Sequence, residues 1–124
     1  MMYDYRATVV KVTDGDSLKL NVDLGFDTWH VGAFRLLGIA ARELDQPGGP
    51  EARDHLAELL PPGAAVTIQS VKVDKYGGRY DCKVTLKDGT DLGAGLVATG
   101  WAAAWSGRGP QPAPVWPVVP QKVG

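Results

Sequence analysis

The chain contains one cysteine, Cys82. An internal disulfide is therefore excluded, and such usage fits a reducing compartment. No apolar run approaches the roughly 20 residues that a membrane-spanning helix requires. The opening Met1-Met2-Tyr3-Asp4-Tyr5-Arg6 lacks the apolar core of a secretory leader. A cytoplasmic location, away from membranes, is the expectation. An excess of basic charge is missing too: 13 Lys and Arg stand against 14 Asp and Glu, for a formal net charge of -1. Proteins that coat nucleic acid by neutralising phosphates are distinctly basic. That mode of binding is excluded, and any chemistry on nucleic acid has to come from a local site.

Turn chemistry, by contrast, is abundant. Sixteen glycines and nine prolines in 124 residues imply short elements joined by tight turns, and hence one mainly β domain. Residues 5–13 are rich in β-branched side chains and run into Asp14-Gly15-Asp16, a turn signal. Residues 17–24 complete a hairpin, with Leu18, Leu20, Val22 and Leu24 on one face. A third strand is expected over 29–39, with Trp29, Val31, Ala33, Leu37 and Ile39 on its inward parity. The loop Gln46-Pro47-Gly48-Gly49 precedes a helix over 50–60 whose apolar stripe is Ala52, Leu56, Leu59 and Leu60. In a fourth strand, 66–74, the apolar parity slips between Ile68 and Val71, which predicts a bulge near Ser70. A fifth strand, 80–86, puts Cys82 and Val84 inward, and Asp88-Gly89 leads into a last helix over about 91–99. Five strands with a helix between the third and fourth is the order of the OB-fold, a small Greek-key barrel. Residues 106–124, dominated by Gly, Pro and Val, read as an extended tail beyond a domain of residues 1–105.

Two charges violate the binary pattern. Asp16 shares parity with Leu18 and Leu20, and Arg35 lies between Ala33 and Leu37 on the parity read as inward. A charge so placed is paired, binds a metal or faces a ligand. A structural ion pair at a barrel rim would account for these two alone. Glu43, shortly after the third strand, and Arg79, opening the fifth, enlarge the set to two carboxylates and two guanidiniums at strand ends. Chemically that set suits a phosphodiester. Carboxylates hold a hard cation and activate water; guanidiniums grip phosphate oxygens and steady charge that grows in the transition state. His30 and His55 have no zinc-ligand spacing and are expected at the surface. Cys82 reads as a small core residue, and Trp101 and Trp105 as caps on the core.

Asp14-Gly15-Asp16-Ser17-Leu18-Lys19-Leu20, then Phe34-Arg35-Leu36-Leu37-Gly38-Ile39 with Glu43, then Asp74-Lys75-Tyr76-Gly77-Gly78-Arg79 resemble the staphylococcal nuclease (thermonuclease) family. The resemblance runs from about Ala7 to Trp105, with every element in the family's order. It implies an OB-fold and calcium-dependent hydrolysis of DNA or RNA phosphodiesters, with magnesium or manganese as alternative ions. Carried over by position, Asp16 and the backbone carbonyl of Ala41 would be calcium ligands, and Arg35 would grip the phosphate. Glu43 would position or deprotonate the attacking water, and Arg79 would stabilise the pentacovalent phosphorus and the leaving oxygen. Lys75 and Tyr76 would contact the nucleotide; a solvated turn is the other reading of that pair.

Three departures from the family stand out. Ala40 occupies the position of the second calcium-binding carboxylate, leaving Asp14 or Asp45 as substitutes, and Arg42 replaces a proline. An extra glycine in Gly77-Gly78 shifts Arg79 by one residue. The family's third helix has no counterpart in the proline-rich residues 106–124. The tail, with Trp116 as anchor, or a second subunit would then cover that part of the barrel. Pro114, Pro117 and Pro120 also have the spacing of an SH3-type ligand. Beside a metal-dependent nuclease, two readings therefore stand. One is a non-catalytic OB module that binds nucleic acid or a protein along a groove near Lys72, Lys75, Tyr76 and Arg79; the other is an interaction protein that works through its tail.

Overall fold

The computed structural model describes residues 3–74, 77–106 and 109–110. Its alternating segments form β1 (Tyr5–Asp14), β2 (Ser17–Asp23), β3 (Trp29–Leu36), β4 (Ile39–Ala41), β5 (Ala65–Val73), β6 (Tyr80–Leu86) and β7 (Ala102–Ala104). Two short helices, α1 (Gly49–Leu59) and α2 (Leu92–Ala98), accompany them. Strands β1, β2, β3, β6 and β5 close in that order into a barrel, with β5 pairing back onto β1 from Tyr5↔Ile68 to Thr8↔Ala65. All neighbours are antiparallel except β3 and β6, which run parallel through Phe34↔Tyr80, Arg35↔Asp81 and Leu36↔Cys82. With α1 between the third and fourth barrel strands, this is the OB-fold-like order that the sequence predicts.

The inward positions supply the core. Val9, Leu18, Leu20, Val22, Phe34, Leu36, Ile68, Cys82 and Val84 are buried, capped by Ala52, Leu56 and Leu60 from the α1 side and by Leu92, Leu96 and Trp101 from the α2 side. Each leucine buried in this way contributes about 1.5–3 kcal/mol. Burial also pushes the Cys82 thiol up to about 12, so it behaves as an inert core residue. The register of β5 against β6 shifts between Gln69 and Lys72, the bulge that the parity slip predicts.

Other expectations need correction. The inward parity of β3 is the reverse of the one expected: Phe34 and Leu36 are buried, whereas Trp29, Val31 and Ala33 are exposed. This strand is apolar on both faces, so alternation alone does not choose a side. The choice is made by cross-strand partners such as Leu18↔Phe34, which share a face. Nor does the strand continue to Ile39. Gly38 takes a φ of 79°, which turns the chain, and Ile39–Ala41 pairs instead with Ala102–Ala104 in a separate two-stranded ladder that was not anticipated. Leu24, expected inward, is exposed because β2 ends at Asp23, and Leu59 is exposed in the last turn of α1. His30 is half-buried, edge-on to Phe34 and Tyr80. His55 is half-buried too, and stacks on Trp101 with ring centroids 4.1 Å apart; burial lowers its pKa. Among the described residues no helix is long and apolar enough to cross a membrane.

Candidate functional site

Charge collects at the barrel end where β1 turns into β2. The Asp14-Gly15-Asp16 turn is pressed against β4 and α1: a Cβ on Gly15 would lie 2.8 Å from the Cβ atoms of both Ala41 and Ala52. Only glycine allows this approach, which sets Asp16 beside β4. There Asp16 Oδ2 accepts the Ala41 N–H at 3.0 Å, and Oδ1 accepts the Ser17 hydroxyl at 3.0 Å. Asp16 is only 7% exposed, and a carboxylate that far from water depends on such donors. The ladder explains why the Ala41 N–H is free to serve. Trp105 N–H donates to the Gly38 carbonyl at 2.8 Å, so the alternate residues Ile39 and Ala41 turn their N–H and C=O groups away from β7. The Ile39 carbonyl accordingly accepts from Arg35 at 3.4 Å, and the Ala41 carbonyl lies along the same edge.

Arg35 reaches this edge from the outer face of β3, where it is the partner of Ser17, and not from the inward parity expected. Its Nη2 lies 3.5 Å from Asp16 Oδ2. The guanidinium carbon sits 4.9 Å from the centre of the Trp105 ring, a cation–π contact. Trp101 is a buried core cap as expected; Trp105 covers Arg35.

Arg79 completes the cluster from the segment before β6. Its Nε donates to Asp74 Oδ2 at 3.2 Å, and Asp74 is 4% exposed. Asp81 stands beside Arg35 in the parallel β3–β6 register. Burial and the Asp74 carboxyl push Asp81 up to about 6, against the pull of Arg35 and Arg79. Asp81 Oδ1 is buried without a donor among the described residues, which fits a proton shared between the two carboxyls. Asp14 is similar: its Oδ1 accepts the Asp16 N–H at 3.0 Å, and burial, then the Asp16 carboxyl, push it up to about 7. Two carboxyl pairs, Asp14 with Asp16 and Asp74 with Asp81, thus adjoin Arg35 and Arg79. Sequence reasoning missed Asp81, which occupies an ordinary outward position of an alternating strand. Only its register beside Arg35 marks it.

Asp16, Arg35 and Arg79 are therefore brought together. Glu43 is not in contact with them. It lies two residues beyond Ala41 in an exposed loop, where its N–H donates to Gln46 Oε1 and its carbonyl accepts the Gln46 N–H, both at 2.9 Å. Its carboxylate forms no ion pair with a described residue. Lys75 and Tyr76 lie outside the described residues, as do Trp116, Pro114, Pro117 and Pro120 of the tail. Ala40 is buried in the small ladder at 1% exposure, and Asp45 is exposed in the loop. Asp14 is the carboxyl that adjoins Asp16.

Among the described residues no group of three or more His, Cys, Asp or Glu is arranged to hold a metal ion. Asp14 and Asp16 adjoin beside Ala41, a set that supplies fewer than the roughly six to eight oxygens that calcium takes. Neither a protein-family model nor a curated protein matches the chain.

Proposed function

We propose that the chain is a metal-dependent nuclease that hydrolyses phosphodiester bonds of DNA or RNA at the barrel end carrying Asp16, Arg35 and Arg79. The observation that carries this reading is that Arg35, paired with Asp16 beside Asp14, and Arg79, paired with Asp74, come from separate segments and both act on Asp81. Asp16, with Asp14 and the Ala41 carbonyl, would hold Ca2+, or Mg2+ or Mn2+ in its place. Such an ion supplies Lewis-acid polarisation of a phosphate oxygen. Arg35 and Arg79 each spend part of their donor set on a carboxylate, and a guanidinium has five N–H groups. The remainder is available to phosphate oxygens. Glu43, exposed and without an ion pair to a described residue, is open to a water molecule that it would position or deprotonate. Cleavage of single-stranded DNA and RNA should therefore depend on added calcium, magnesium or manganese and fail with chelator. Glu43→Gln should lower the rate about 100-fold or more without changing thermal unfolding; equal rates in variant and wild type would remove Glu43 from the role of base.

A second reading, a non-catalytic OB module that binds nucleic acid or a protein partner, draws support from Ala40 and from the arginines' existing bonds to Asp16 and Asp74. Oligonucleotide binding that needs no metal and leads to no cutting would decide for it.

A further inference from the structure

The opposite end of the barrel, at the tip of the β2–β3 hairpin, is apolar and left uncovered by the described residues. Leu24, Phe26, Trp29 and Val31 are 46%, 103%, 55% and 53% exposed. Phe26 and Asp27 also take φ values of 53° and 59°, in the left-handed region that costs a non-glycine residue about 1–2 kcal/mol. An aromatic ring held in that conformation and fully exposed gains nothing from the described residues of its own chain. Beside the hairpin lies a groove of about 410 Å3 whose lining includes Arg6, Thr8, Trp29, Thr67, Leu86 and Lys87. Arg6 and Lys87 are exposed and form no ion pair with a described residue. Asp23, also in the lining, already accepts the Gly25 N–H at 2.8 Å. Asp27 is the acid left at the tip.

We infer that this end is a self-association surface and that its partner is a second copy of the chain. Hairpin and groove lie at the same end of the barrel, so a two-fold axis can seat each hairpin in the other copy's groove. Phe26 would enter the groove and Asp27 would meet Arg6 and Lys87. Buried Phe and Trp side chains each remove roughly 150–250 Å2 from water. With Leu24 and Val31 added, two copies together cover on the order of 1,000 Å2, the lower limit for a specific interface. The acids at the tip disfavour a nucleic-acid occupant there. The Asp16 end stays open in such a dimer, so the inference does not depend on the nuclease reading.

Sedimentation of the full chain over a range of concentrations tests this. A monomer–dimer equilibrium is expected, weakened by added salt. Phe26→Asn should raise the dissociation constant about tenfold or more; asparagine suits the left-handed position, so this variant keeps its fold. Lys87→Glu should weaken association severalfold, and adding Asp27→Lys should restore it. A wild-type chain that is monomeric throughout overturns the inference, as does a dimer indifferent to Phe26→Asn. Phe26-dependent binding of an oligonucleotide to a monomer overturns it as well, by assigning the surface a different occupant.

Discussion

At one end of the barrel Asp16 and Asp74 are almost wholly removed from water; at the other Phe26 is wholly in it. Both placements run against the ordinary sorting of side chains, and the chain deals with them differently. The buried carboxylates are satisfied internally, by Ser17, Ala41 and Arg35 around Asp16 and by Arg79 on Asp74. A charge left alone at such depth would cost several kcal/mol, so these groups form one interdependent cluster. The exposed hairpin has no such compensation among the described residues. Its apolar surface and its backbone strain find no offset among the described residues. One end thus reads as a prearranged polar site, the other as a surface waiting for a copy of itself.

That contrast can be broken most sharply at Gly15. Gly15→Val would drive a branched side chain into Ala41 and Ala52, and overpacking of this kind costs about 1–3 kcal/mol. The denaturation midpoint should fall accordingly, and an unchanged midpoint would mean that the turn does not depend on close approach.

A smaller effect sharpens the electrostatic side. Asp14 titrates at about 7 in the folded chain against an ordinary 3.8, so between those values the native state holds more protons than the unfolded one. Stability from this group is present below the lower value and is lost as pH rises towards about 7. Asp81 acts with the same sign over the narrower window up to about 6. Thermal melts across this range should show Asp14→Asn gaining on wild type as pH increases, and parallel curves for the two proteins would contradict a raised Asp14.

The smallest effect is expected at the hairpin. Phe26→Asn should stabilise the monomer by about 1 kcal/mol through relief of left-handed strain. At protein concentrations below the dissociation constant, where the monomer alone is melted, a lower melting temperature would show that Phe26 packs within its own chain after all.

Much of the barrel was legible residue by residue. The alternation of Leu18, Leu20 and Val22, the inward Cys82, the helix before the fourth barrel strand and the parity slip at the Gln69–Lys72 bulge all carry local signals. Of the candidate site, Asp16 was visible as a charge on an apolar parity. Arg35 carries the same signal, although its parity is the outer one. Asp81 and the contact of Trp105 with Arg35 had no local signal, because each looks ordinary on its own strand.

The sequence by itself determined which segments extend, where they turn and which residue types could meet at a strand end, since period-two alternation, glycine and proline act over a few neighbouring residues. The tertiary structure alone decided which face of β3 turns inward, that Ile39–Ala41 leaves the barrel to pair with Ala102–Ala104, and that Asp14 and Asp81 join the charged cluster. The physical reason is register. Where a strand is apolar on both faces its orientation follows from distant partners, and a carboxyl's proton affinity follows from the charges that the closed barrel brings beside it.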